Sequence, residues 1–213
     1  MLQEFAQQVE ETAREVVNEV HTALPGEIVS FNAASGMATV KPIGKFTTPD
    51  GKKLDYPAIS EVPVVFPFCQ SAGVGLAYPV NPKDSCLIIV SEVELDEWRT
   101  GAESEGSLKF DLTNAVAIPG LLEGGGALIS EAQKQQAAVL GAGDNRVIVS
   151  DSGVTVDTGA TVFKITDTGA ELTGNLKVKG TITASETVKA GSIDLKQHTH
   201  ISSEPGTKSG VAQ

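Results

Sequence analysis

Apolar residues follow three successive patterns along the 213-residue chain. In the first, Leu2, Phe5, Val9, Val16, Val20 and Leu24 recur mostly at three- and four-residue steps among Glu, Gln and Arg. That spacing predicts an amphipathic helix over 1–24, stopped by Pro25-Gly26. The stripe is narrow, so the helix either packs on its own domain or serves as a coiled-coil or docking helix that attaches the protein to a partner.

The second pattern covers 25–120 and consists of short β-prone runs. Ile28-Val29-Ser30-Phe31 and Met37-Ala38-Thr39-Val40 flank the turn residues Asn32 to Gly36, a hairpin signal. Further strands are predicted at Val62 to Phe66, Gly75 to Tyr78, Ser85 to Val90 and Ala115 to Ile118. Several short strands in such a length fit a small OB-fold barrel. Binding of single-stranded nucleic acid by such a barrel requires a basic groove interleaved with exposed aromatics, and this segment offers neither. Residues 121–143, with Gly124-Gly125-Gly126 and Gly141-Ala142-Gly143, read as a linker holding one short helix.

In the third pattern, over 144–197, apolar residues come in brief clusters: Val147/Val149, Val154/Val156, Phe163/Ile165, Leu172, Leu176/Val178, Ile182, Val188 and Ile193/Leu195. Turn signals separate them, among them Asp151-Ser152-Gly153, Asp157-Thr158-Gly159 and Asp167-Thr168-Gly169. Strands this short and this poor in bulk do not close a core within one chain. Three chains around one axis would cover their edges and share a thin core, which predicts an intertwined homotrimeric β-helix. The fold class is therefore mainly β: an N-terminal helix, an OB-fold barrel and a trimeric β-helix, ending in a tip over 198–213.

Two motifs carry candidate chemistry. Asp-Thr-Gly-Ala occurs at Asp157 to Ala160 and again at Asp167 to Ala170, the kind of turn that holds the carboxylate of an aspartic protease. A protease dyad needs two carboxylates facing across a cleft, and repeated turns in a rod do not supply one, so these are read as turns. The second motif is His198-Thr199-His200. In an extended chain both imidazoles face one side, and three chains meeting on an axis would gather six of them, enough for one octahedral ion such as Fe(II) per trimer. The plainer alternative is an exposed C-terminal pair. His21 is read as an exposed residue of the N-terminal helix.

Composition narrows the function. With 27 acidic against 16 basic residues the formal charge is −11, which argues against nucleic-acid or anionic-membrane partners. No apolar run approaches the roughly 18 residues of a membrane span. The N-terminus lacks the basic-then-apolar order of a secretion signal, so synthesis in the cytoplasm is expected. Cys69 and Cys86 sit in apolar strand-like settings and are read as reduced core thiols. No nucleophile–His–acid set, phosphate loop or inserted lysozyme-like domain is visible, so no enzymatic activity is expected.

The order of these parts resembles the central spike, or membrane-puncturing baseplate protein, of contractile phage tails and phage tail-like bacteriocins. The resemblance rests on Asp55-Tyr56-Pro57 leading to Val62-Pro63-Val64, on Leu95-Asp96-Glu97-Trp98, and on Phe110 to Gly120. It is carried furthest by His198-Thr199-His200 followed by Pro205 to Gly210, and in all it covers about 25–210. It implies a homotrimeric needle under the tail tube, contacting hub, tube and baseplate proteins, with or without a separate tip protein. Sheath contraction would drive this needle into a bacterial envelope. The particle would be assembled in the host cytoplasm. The resemblance also implies iron held by His198 and His200. Ile201-Ser202-Ser203-Glu204 departs from the family's Gly- and Pro-rich run at this point, and the N-terminal helix, which does not map onto the family, is expected to attach the spike to the tail hub or tube. The competing expectation is a trimeric OB-type carbohydrate- or protein-binding module on a β-helical stalk.

Overall fold

A computed structural model of the chain describes residues 2–48, 50–101 and 108–199. The chain divides into two compact units, Met1–Gly126 and Ala127–Gln213. It is mainly β, and no helix among the described residues is long and apolar enough to cross a membrane.

The first unit opens with helix α1 (Leu2–Glu19). Nine strands follow: β1 (Ala23–Asn32), β2 (Met37–Pro42), β3 (Lys45–Thr47), β4 (Lys53–Asp55), β5 (Ile59–Pro63), β6 (Phe68–Cys69), β7 (Val74–Gly75), β8 (Ser85–Val90) and β9 (Ala115–Pro119). Helix α2 (Leu95–Thr100) lies between β8 and β9. The main sheet has the order β5-β2-β1-β8-β9 and curls into a half-barrel. Its two edges approach each other where Val64 forms a parallel bridge with Ala117, and Val65 N donates to Ala117 O at 2.8 Å. Two register shifts, between Ile28 and Ser30 on β1 and between Ala38 and Val40 on β2, supply the local bending that a curled sheet needs.

The core is small and lined by compact side chains. Period-two alternation turns Ile28, Val40, Val62 and Ile88 fully inward, with Ala38, Cys86 and Ala117 filling the narrower places. Phe31 and Phe66 pack against this core from its margin, their rings 6.3 Å apart.

Three expectations change here. The helix ends at Glu19, and Pro25-Gly26 lies inside β1 instead of terminating a helix. Gly26 is there because it faces β8 at close range: a Cβ at this position would sit 2.4 Å from Ile88 Cδ1. His21 lies beyond the helix, half-buried and edge-on to Tyr56 with ring centroids 5.9 Å apart. Only Cys86 is a core thiol. Cys69 is exposed, because β6 and β7 form a small hairpin outside the main sheet.

The second unit holds helix α3 (Ala127–Gln135) and strands β10 (Ala138–Ala142), β11 (Asn145–Ser150), β12 (Gly153–Asp157), β13 (Val162–Thr166) and β14 (Gly169–Thr173). A final hairpin consists of β15 (Lys189–Ala190) and β16 (Ile193–Asp194). Strands β10 to β14 pair antiparallel in sequence order. The sequence led to strands shared between copies. Over this stretch the ladder is instead satisfied within one chain, because two-residue turns at Gly143-Asp144, Asp151-Ser152 and Asp167-Thr168, and the longer loop Thr158 to Thr161, fold each strand back on the last.

Candidate functional site

The registers of β10 to β14 align side chains across all five strands. One row runs Ala138, Val149, Val154, Ile165, Ala170, and the next row on the same face runs Leu140, Val147, Val156, Phe163, Leu172. Every member is apolar. The opposite face is mixed, with Val139, Ile148, Thr155, Lys164 and Glu171 in one row and Gly141, Arg146, Asp157, Val162 and Thr173 in another. Helix α3 packs on that opposite face. A Cβ on Gly141 would meet Leu128 Cδ1 at 2.6 Å, and Arg146 Nε donates to Glu131 Oε2 at 2.7 Å with both side chains largely covered.

The apolar face is open. Leu140 is 56% exposed, Val149 49% and Ile165 44%. Among the described residues of the second unit none is buried, whereas the first unit holds the whole buried core. A sheet covered by α3 on one face, with its apolar face largely open to water, lacks much of the burial that offsets chain entropy.

Beyond β14 the pattern changes again. No strand lies between Thr173 and Lys189 among the described residues, yet Leu176 and Ile182 are 72% and 66% exposed. The β15–β16 hairpin is fastened by Asp194. Its carboxylate accepts hydrogen bonds from the Thr187 hydroxyl and from Lys196 N, and the Thr187 bond is the main reason its pKa falls below the ordinary carboxylate value.

The same turn positions His198. Its backbone N–H donates to Asp194 O and its ring Nδ1 lies 2.8 Å from Leu195 O. A carbonyl oxygen only accepts, so Nδ1 carries a proton in this contact, and a metal would be ligated through Nε2. His200, its predicted companion, lies outside the described residues. Among the described residues no group of three or more His, Cys, Asp or Glu side chains gathers within one chain. One or two imidazoles per chain would hold an iron ion only by combining copies.

The two Asp-Thr-Gly turns are structural. Asp157 Oδ1 accepts from Gly159 N at 2.7 Å, and the Thr166 and Thr168 hydroxyls bond each other at 2.9 Å. The turns lie at opposite ends of β13, about 3.3 Å per residue over five residues, too far apart to share a proton.

In the first unit, sequence reasoning passed over Asn114, a buried node just before β9. Its Oδ1 accepts from Leu95 N at 2.9 Å, while Nδ2 donates to Val93 O at 2.8 Å, to Leu108 O at 3.1 Å and to Ser91 O at 3.4 Å. It ties the start of α2 to the chain that re-enters the sheet. Nearby, Asp111 is held below the ordinary carboxylate range by the Thr113 hydroxyl and backbone N–H. The Leu95-Asp96-Glu97-Trp98 motif forms α2 and leaves Trp98 exposed.

The chain thus combines a curled sheet in its first unit with an open apolar face in its second. Residues 24–120 match the model of a family described as phage protein Gp138 N-terminal domain. That segment runs from the start of β1 to the end of β9, the whole sheet-forming part of the first unit. The match supports a phage-related protein with a structural role. Among curated proteins, none matches the chain.

Proposed function

We propose that the protein is a homotrimeric, envelope-piercing spike at the baseplate of a contractile phage tail or tail-like particle. The observation that carries this reading is the exposed apolar face of β10 to β14 in a unit with no buried side chain among its described residues. Three such faces turned toward a common axis would bury both rows, each aliphatic side chain contributing about 1.5–3 kcal/mol on full burial. Three-fold closure leaves no such face open for further growth, which suits a particle that needs one needle. The phage-domain match over residues 24–120 supports the setting, and the order β5-β2-β1-β8-β9 with its Val64–Ala117 bridge supports reading the curled sheet as a five-stranded OB barrel.

In this reading the first unit faces the tail hub, tube and baseplate, and the second unit forms the shaft. Below β14, where a single chain has no strand partner up to Lys189, neighbouring copies supply the strand partners of a β-helix. His198, with His200, would hold one iron ion per trimer at the shaft's end. Bound there, the ion would cross-link three chain ends through imidazole nitrogens. The chain's own contribution is the Asp194–Leu195 turn, whose carbonyls hold the backbone N–H and ring Nδ1 of His198. The work of piercing comes from sheath contraction, and the shaft transmits it without an enzymatic step.

Native mass spectrometry of the untagged protein, purified without added metal, tests the reading. A trimer with one iron-sized adduct is expected. A metal-free trimer would remove the iron and keep the shaft, and a monomer at micromolar concentration would overturn the spike.

A further inference from the structure

Helix α1 presents an apolar stripe that the proposed shaft does not use. Phe5, Val9 and Val16 are 66%, 53% and 58% exposed, and Val17 is 68% exposed beside them. The positions Ala6, Val9, Ala13 and Val16, continued by Val20 one residue past the helix's end, alternate three- and four-residue steps, the spacing of a coiled-coil seam in which small and β-branched residues meet. The helix is poorly equipped to persist alone. It has 18 residues, its last turn holds no basic side chain to complement the helix dipole, and its second half is rich in β-branched Val and Thr.

We infer that α1 packs against α1 of two other copies as a parallel three-helix bundle. This rests on the trimer of the proposed function. A three-fold axis brings three α1 helices together at high effective concentration and requires them to run in the same direction. Charge is the opposing factor. Each helix carries five glutamates and one arginine, and Arg14 is already bonded to Glu10 at 2.7 Å. An exposed like-charge pair costs a few tenths of a kcal/mol, whereas burying one Val returns about 1.5–3 kcal/mol, so the seam prevails. The repulsion still leaves a signature: raising salt tightens the bundle. Docking of the same acidic helix into a basic-rimmed groove of another protein would weaken with salt.

The test is disulfide trapping in the full-length protein with Cys69→Ser as background, Cys86 being buried. Ala13→Cys lies in the seam and Glu11→Cys on the opposite side of the helix, with Val9→Cys as a second seam variant should Ala13→Cys not assemble. Oxidation of the seam variants should give several-fold more covalent dimer than Glu11→Cys, with a yield that rises between about 50 and 500 mM salt. Equal yields at both positions, or a seam yield that falls with salt, in a protein that sedimentation shows to be trimeric would refute the bundle alone. A monomer by sedimentation would refute the trimer beneath it.

Discussion

Replacing Asn114 by leucine removes the polar node that joins α2 to the main sheet and should destabilise the first unit by about 2–4 kcal/mol. The magnitude follows from which partners are stranded. Ser91 O and Leu108 O keep other donors, Phe110 N at 3.2 Å and Asp111 N at 3.3 Å, so they lose little. The N–H of Leu95 loses its bond to Asn114 at 2.9 Å and is left unpaired at about 1–3 kcal/mol, while the C=O of Val93, on a residue that is mostly exposed, loses a 2.8 Å bond worth about 1 kcal/mol. Urea unfolding at fixed protein concentration measures the loss, and hydrogen exchange at Leu95 localises it. Asn114→Asp adds a test of sign. One carboxylate oxygen still accepts from Leu95 N, but the other takes the place of Nδ2 and faces the Val93 and Leu108 carbonyls. The neutral acid, which donates one bond, is favoured, and the folded pKa rises above the unfolded value. Relative to the parent, stability is then fully present below the unfolded carboxylate pKa and is lost as pH rises through the folded one. A leucine variant within about 1 kcal/mol of the parent, or an aspartate variant that gains relative stability with rising pH, would refute the role given to Asn114.

Gly26→Ala should cost about 1–3 kcal/mol, since its Cβ would lie 2.4 Å from Cδ1 of fully buried Ile88, and Ile88→Val, which deletes that atom, should recover part of the loss in a double-mutant cycle by urea unfolding. Burial pushes the Cys86 thiol up to about 11, so at pH 8 a thiol reagent should modify exposed Cys69 alone in the folded protein and both cysteines after unfolding. Asp194 titrates below its ordinary value because Thr187 bonds the ionised form, so its contribution to the β15–β16 hairpin is present above the unfolded carboxylate pKa and is lost as pH falls through the lower, folded one. Thr187→Ala should move the Asp194 carbon resonance titration up toward 3.8, and an unchanged titration would remove Thr187 as the cause.

What could be read from the residues depended on whether the determining contact was local. Turn chemistry at Asn32 to Gly36 and at Asp151 and Asp167 is local, and hairpins stand at each of these places. Clusters such as Val147/Val149 and Phe163/Ile165 carry a period of two, so the apolar face was visible as alternation. Which strand pairs with which was not, because register depends on turns whose length fixes the partner, and the in-chain ladder of β10 to β14 therefore replaced the expected sharing. Gly26 was misread for a related reason. Beside Pro25 it has the composition of a helix stop, and only the presence of Ile88 across the sheet explains it as a point of close approach. Asn114 gave no signal at all, since its partners Leu95 and Ser91 lie 19 and 23 residues away in sequence. The histidine pair was visible by spacing, and the structure adds the Nδ1 contact of His198 while His200 falls outside the described residues.

The distribution of hydrogen bonds along the second unit explains why a metal would belong at its far end under the spike reading. From β10 to β14 each strand has a partner in its own chain, and association needs only side-chain packing across the apolar face. From Thr173 to Lys189 the chain has exposed Leu176 and Ile182 and no strand of its own, so order there would depend on neighbouring copies. At Asp194 to His198 each chain is held by a hairpin of two-residue strands, by the Asp194 carboxylate and by the bonds of His198 to Asp194 O and Leu195 O. A bundle loaded along its axis frays where inter-chain contact is thinnest, and three chain ends joined through imidazole nitrogens would be closed at that place. His198→Ala with His200→Ala should therefore increase hydrogen exchange from Leu176 toward the C-terminus and leave β1 to β9 unchanged. An equal increase along the whole second unit would mean that the apolar face, and not the histidines, holds the end of the shaft together.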